Sequence, residues 1–171
     1  ICDLSDKKKI QATLDKIKVD YVINFSGYVD HTNKKKTFRS HFLGLKYLSN
    51  YFSKKKILKF IQIGSSLEYE KAKPPHLENY NIKKNRLLST YSLAKFKSTK
   101  HIIKLGQKTN LPFLILRPYL IYGQYQNNHR LIPMVINKCL KDISFPTSSG
   151  NQYRDFLYVK DFINILYRLM I

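Results

Sequence analysis

Three short apolar runs, each closing on small or polar residues, limit what this chain can fold into. They are DYVINFSG at 20–27, ILKFIQIGSS at 57–66 and PFLILR at 112–117. A strand with one wet face alternates apolar and polar residues, whereas a nearly continuous run belongs in a sheet covered on both faces. Between the runs the apolar period becomes that of a helix. SDKKKIQATLDKIK places Ile10, Leu14 and Ile17 at helical spacing behind Ser5 or Asp6 as N-cap. A second helix carries Phe38, Phe42, Leu45 and Leu48 on one face and ends near Tyr51; a third runs from about Ser89 to Gln107 after a loop at 71–88. Further on, LIPMVINKCLK reads as a helix, YRDFLYV as an extended segment, and the tail as a helix capped by Asp161. Strands alternating with amphipathic helices predict an α/β fold on a doubly wound parallel sheet with helices on both faces. Ligands of such sheets bind beyond the carboxyl ends of the strands. Ser26-Gly27, Ser65-Ser66 and Arg117-Pro118-Tyr119 fall there.

Composition narrows function mainly by exclusion. Lys and Arg total 31 against 11 Asp and Glu, a formal charge of +20. Such a charge suits polyanions. Yet the lysines are spread along the whole chain, in KKK at 7–9, 34–36 and 54–56, and Arg, the better phosphate fork, is rare. A solvated, composition-biased surface is the preferred reading, nucleic-acid binding the minor one, and attraction of a small anionic substrate lies between. Cys2 and Cys139 are too few for a disulfide framework or a metal site. His31, His41, His76, His101 and His129 show no metal-ligand spacing, so surface or packing roles are expected of them and no metal is. Pro112, Arg117 and Pro118 interrupt the longest apolar stretch, LPFLILRPYLIYG, so no membrane span is expected. The opening ICDLSDKKK runs from apolar to charged, the reverse of a secretory start, and the expected location is the reducing cytoplasm.

Chemistry enters with TYSLAKFKSTK at 90–100. Tyr91 and Lys95 stand at i and i+4, on one face of the third helix. With 13 Tyr in a lysine-rich chain the spacing alone means little. Its surroundings give it weight, because Ser65-Ser66 ends a buried strand upstream. A phenol titrates near pH 10 unaided, and a neighbouring ammonium favours the phenolate. A serine hydroxyl nearby could bond the same substrate oxygen. The trio suits proton transfer at an alcohol or ketone.

The order of motifs resembles the NAD-dependent epimerase/dehydratase family of extended short-chain dehydrogenase/reductases, which act on nucleotide sugars. DYVINFSGYVDH is similar to that family's V-I-H-x-A-A strand, FIQIGSSLEYE to S-S-x-x-x-Y-G, and YSLAK to Y-x-x-x-K. LRPYLIYGQYQ resembles L-R-P-x-N-V-Y-G-P-x-Q, and QYRDFLYVKDFINIL resembles Q-x-R-D-F-x-Y-V-D-D. The resemblance implies a Rossmann-type domain using NAD or NADP, with Tyr91 as the acid/base at a sugar hydroxyl. Lys95 would bind the nicotinamide ribose and favour the Tyr91 phenolate. Ser65 would bond the reacting oxygen, a role that a one-residue slip passes to Ser66, which would also touch substrate. Asp3 and Leu4 would lie near the adenine; Phe25, Ser26, Gly27, Pro118 and Tyr119 would line the dinucleotide. Leu120 would face substrate, and Arg154 would grip its diphosphate. Family members often pair through helices corresponding to about 36–52 and 89–107, which leaves a homodimer open.

Departures from the pattern shape the expected activity. Leu120 and His41 replace common Asn residues, Glu70 the Gly of Y-G, and Lys160 the first Asp of the last motif. Ser66-Leu67 stands where sugar 4,6-dehydratases carry Asp-Glu. Epimerisation or 4-ketosugar reduction is therefore expected, with sugar 4,6-dehydration or a non-catalytic polyanion-binding relative as the alternatives. No G-x-x-G-x-x-G follows a strand, and the chain opens on Ile1. The expectation is one incomplete domain over 1–171, lacking its first strands and most of its substrate lobe, which would begin at about 124. Such a piece would bind NAD poorly and leave a sheet edge unpaired.

Overall fold

The computed structural model describes residues 2–70, 72–79, 87 and 89–171, so part of the 71–88 loop lies outside the described residues. The chain divides into two compact units, Ile1–Pro118 and Tyr119–Ile171.

In the first unit α1 (Lys7–Leu14) starts where the Asp6 carboxylate accepts from the Lys8 and Lys9 N–H groups. It ends at Leu14, before the expected Ile17, which is 53% exposed. Strands β1 (Tyr21–Asn24), β2 (Lys59–Ile63) and β3 (Phe113–Leu116) form a parallel sheet in the order β1-β2-β3. Val22, Phe60 and Phe113 are in register, as are Asn24, Gln62 and Ile115. The helical stretch between β1 and β2 is not the single helix expected. It comprises α2 (Lys34–Phe38), a π-helical segment (Arg39–Gly44) and α3 (Leu45–Phe52). A π turn adds a residue to the helical repeat and rotates the next stretch of helix about its axis. Leu45, Leu48 and Phe52 accordingly face the core, while Phe38 and Phe42 pair with each other under the Lys97 ammonium. The long helix α4 (Thr90–Thr109) returns to β3 and ends at Asn110 in the left-handed conformation (φ 55°). Leu45, Leu48, Phe52, Ile57, Phe60, Ile102 and Leu111 make the core between α3, α4 and one sheet face. Phe60 is fully buried, and its truncation to Ala would cost about 3–5 kcal/mol.

The second unit holds β4 (Leu120–Tyr122), α5 (Leu131–Leu140), β5 (Phe156–Tyr158) and α6 (Val159–Met170). β4 and β5 pair in parallel; the pattern of the chain predicts only the second of them. The N-cap of α6 is Tyr158, without a side-chain bond; Asp161 lies in the first turn and is not the cap.

Candidate active site

Tyr91 is the second residue of α4, placed there by a tight N-terminal cap. The Ser89 hydroxyl accepts from the Ser92 N–H at 3.0 Å, and the Ser89 N–H donates to Ser92 Oγ at 3.2 Å. The Ser92 hydroxyl also donates to the Glu70 carboxylate at 2.9 Å. Glu70, standing where the similar motif has Gly, takes the left-handed φ of 34° that favours glycine. One turn into α4, Lys95 is 5% exposed. Its Nζ donates to the carbonyl of Ile63, the last residue of β2, at 2.7 Å, and lies 5.7 Å from the centroid of the Tyr91 ring. Burial pushes the Lys95 ammonium down to about 8, against the opposing pull of Glu68. At neutral pH it still carries its proton.

Ser65 follows β2 and is the N-cap of a one-turn 3₁₀ helix, Ser66–Glu68. Its hydroxyl accepts from the Leu67 N–H at 3.2 Å, which leaves its own proton to donate. Glu68 closes the capping box: one carboxylate oxygen accepts from the Ser65 N–H at 3.1 Å, the other from Arg117 Nε at 3.1 Å. Arg117 also donates to the Tyr69 hydroxyl at 3.0 Å and to the Glu78 carbonyl at 3.3 Å, fastening the turn to the end of β3. Glu68 has no exposed surface. Burial raises its carboxyl, with Arg117 pulling it back down. Ser66 is half-buried beside it, its N–H on the Pro118 carbonyl at 3.1 Å.

Two histidines assigned to packing or surface roles lie on the Tyr91 ring. His31 stacks at 4.2 Å between centroids and 20° between planes, and His41 meets it edge-on at 4.8 Å and 89°. His41 comes from the π-helical segment, whose carbonyl at this residue accepts from the Ser98 hydroxyl of α4 at 2.8 Å. Burial, and then the Lys95 charge, push the His41 imidazole down to about 4, so the ring is neutral. Its Nε2 lies 3.1 Å from the Tyr28 carbonyl and must donate there. Nδ1 is then a buried acceptor without a partner among the described residues. A polar row inside the sheet reaches the same place. Asn24 Nδ2 donates to Gln62 Oε1 at 2.7 Å, and Gln62 Nε2 donates to the Ile63 carbonyl at 2.7 Å. Asn24 Oδ1 accepts from the Ser26 hydroxyl at 2.6 Å and from its N–H at 3.1 Å. The polar interruptions at Asn24 and Gln62 in otherwise apolar strands were the only sequence signal of this row.

The sequence pattern of the NAD dependent epimerase/dehydratase family matches residues 1–170. The chain belongs to this family. It is 27% identical to the dTDP-D-glucose 4,6-dehydratase of Dictyostelium discoideum over 177 residues, 95% of this chain and 41% of that enzyme. With dTDP-glucose 4,6-dehydratase 1 of Escherichia coli (strain K12) it shares 34% identity over 84 residues, 48% of this chain and 23% of that enzyme. Among solved structures, the UDP-glucose 4-epimerase of Thermotoga maritima superposes with a TM-score of 0.86 at 17% identity, covering 98% of this chain and 57% of the epimerase. The UDP-glucuronic acid 4-epimerase of Bacillus cereus, solved with UDP-glucuronic acid and NAD, gives 0.78 at 23% identity, covering 99% and 52%. These similarities show a shared Rossmann-type fold. The chain spans less than half the length of these curated relatives and about half that of the solved structures.

Within this epimerase/dehydratase frame the other expected residues divide between the units. In the first, Phe25 is 59% exposed, Ser26 is held by Asn24, and Gly27 is exposed. A Cβ on Gly27 would collide with the His41 ring, so only glycine admits that imidazole. Asp3 is exposed and accepts from the Ser5 N–H at 2.8 Å; Asp6, not Asp3, caps α1. Leu4 packs into the core. Pro118 closes the first unit half-buried. In the second, Tyr119 is 38% exposed, Leu120 opens β4 at 41%, and Arg154 is exposed just before β5. The described residues of the first unit fit the nicotinamide-ribose half of a dinucleotide: an ammonium, a hydroxyl and a buried imidazole acceptor with no partner among the described residues. Nothing in the sequence supplies a glycine-rich cradle for its pyrophosphate. Among the described residues no cluster of His, Cys, Asp or Glu could hold a metal ion, and no helix is long and apolar enough to cross a membrane.

Proposed function

We propose that the complete protein oxidises or reduces a nucleotide-sugar carbon bearing a hydroxyl or ketone, as an epimerase or 4-ketosugar reductase, with Tyr91 as acid/base. The carrying observation is the buried Lys95 ammonium fixed on the Ile63 carbonyl and set against the Tyr91 ring. A bound nicotinamide supplies the two-electron exchange at the sugar carbon. Tyr91 takes the hydroxyl proton on oxidation and returns it on reduction, and the neighbouring positive charge favours the phenolate that must accept it. The position of Tyr91 in the first turn of α4 adds the positive end of the helix dipole. The Ser65 hydroxyl, oriented by its cap, donates to the reacting oxygen. Residues Ile1–Pro118 would hold the cofactor's reactive end, and the second unit would begin the substrate lobe, with Arg154 on the diphosphate. NAD or NADP would serve, and a homodimer remains compatible with this reading.

Ser66 and the 45% exposed Leu67 offer no acid to expel a C6 hydroxyl, which favours epimerisation or reduction. The matches to dTDP-glucose 4,6-dehydratases favour dehydration as the second reading. Incubating the complete protein with NAD and a panel of UDP- and dTDP-sugars, followed by mass spectrometry, separates them. Dehydration lowers the product mass by one water, epimerisation leaves the mass unchanged but shifts the chromatographic retention, and reduction, run with NADH and a 4-ketosugar, raises it by two hydrogens. If Tyr91→Phe turned over any of these sugars at the wild-type rate, the proposed site would be wrong.

A further inference from the structure

We propose that Glu68 is a positioning residue of this site, a buried carboxylate that fixes Ser65 through its backbone and supplies the negative charge that Lys95 and Arg117 share. This rests on the reading of Ser65 and Lys95 given above. Glu68 is fully buried, and its two oxygens divide their work: one on the Ser65 N–H at 3.1 Å, the other on Arg117 Nε at 3.1 Å. Space for it is built in. A Cβ at Gly64 would press on the first oxygen, on the Leu116 carbonyl and on the Arg117 side chain, so the glycine before Ser65 lets the carboxylate pass beneath the strand end. Two cations approach this anion from different elements: Arg117, just after β3, is paired with it at 3.1 Å, and Lys95 of α4, held on the Ile63 carbonyl two residues before the Ser65 N–H that Glu68 binds, feels its charge without touching it. The other titratable groups beside them are the neutral His41 ring from the π-helical segment, the Tyr91 ring beside Lys95 with His31 stacked on it, and the Tyr69 hydroxyl on Arg117.

A carboxylate kept only to cap a turn would be replaceable by an amide, because a glutamine oxygen can accept the same N–H. A carboxylate that also balances charge is not replaceable in that way. The two roles therefore part in Glu68→Gln, which retains the shape and loses the charge. Without the anion the Lys95 ammonium is less favoured and gives up its proton at lower pH.

The experiment reads Lys95 directly in the complete protein, by trace labelling with acetic anhydride across pH and mass spectrometry of the Lys95 peptide. Glu68→Gln should move the midpoint of Lys95 reactivity down by at least about half a pH unit, and the alkaline limb of kcat/KM with it. Glu68→Gln/Arg117→Met, which leaves no orphaned guanidinium, should show the same displacement if the single variant folds poorly. An unmoved Lys95 midpoint in a folded variant overturns the proposal. Labelling needs no turnover, so a failure of the acid/base reading, seen as an active Tyr91→Phe enzyme, is distinguished from a failure of this one.

Discussion

Tyr51 in the last turn of α3 and Lys55 just beyond it stand four residues apart, as Tyr91 and Lys95 do at the start of α4. The spacing is the same and the electrostatics are opposite. Tyr51 donates to the Asp15 carboxylate at 2.7 Å, and Lys55 reaches the same oxygen at 3.3 Å. Burial and then the Asp15 bond raise the Tyr51 phenol, while Asp15 and Tyr51 raise Lys55. Both protons are held in place. Tyr51 also lies at the negative end of its helix, and Tyr91 at the positive end of its own. Among the described residues Lys95 has no carboxylate against its Nζ, only a carbonyl and a more remote Glu68, and burial pushes it down rather than up. Concavity alone marks no site, since Tyr51, Lys55 and Asp15 line a groove of about 750 Å³. What separates them is which neighbour owns the proton.

Turnover gives the widest separation. Tyr91→Phe and Lys95→Met in the complete enzyme should each lower kcat/KM at least about a thousandfold, against less than about twofold for Tyr51→Phe and Lys55→Met. Comparable losses in both pairs would erase the distinction.

Stability against pH gives the next. Lys95 titrates near 8 in the folded chain and at its ordinary 10.5 when unfolded, so between those values only the unfolded state holds the proton. Stability should rise through that window by up to about 3 kcal/mol, and Lys95→Met should flatten the rise in urea titrations. Lys55 carries the opposite sign. Its folded value is raised, so its contribution is complete below 10.5 and disappears as pH climbs past the folded value.

On the acid side His41 titrates near 4 when folded and at 6.5 when unfolded. Stability is therefore lost as pH falls from 6.5 toward 4, by about 2 kcal/mol at pH 5, and His41→Asn should abolish that loss. The smallest effect belongs to the exposed pair. Lys55→Gln should shift the thermal midpoint by no more than about a degree or two, and by nothing measurable in half-molar salt.

The fold was largely legible because each strand of the main sheet is an apolar run ending in Ser, Gly or Arg. β4 was not, since three residues, Leu120–Tyr122, gain strand character only by pairing with Phe156–Tyr158. The π-helical segment escaped for a similar reason: its register depends on Gly44 packing against Leu4 and on Ser98 bonding the His41 carbonyl. Tyr91, Lys95 and Ser65 were singled out because motif order names them. Glu68 and Arg117 are 49 residues apart and meet only when β2 and β3 are neighbours. The departures at His41 and Glu70 were visible in the sequence; their meaning was not, because one lies in contacts with Tyr91 and the other in a backbone angle.

The row from Ser26 through Asn24 and Gln62 to the Ile63 carbonyl has a direction. Every donor in it points away from Ser26, and Lys95 meets the same carbonyl from the far side. Aligned bonds polarise one another. The row is thus a one-way grammar across two strands, legal with amides and illegal with acids. Asn24→Asp or Gln62→Glu, each the exchange of an amide nitrogen for an oxygen, would set oxygen against oxygen and disturb the carbonyl on which Lys95 rests.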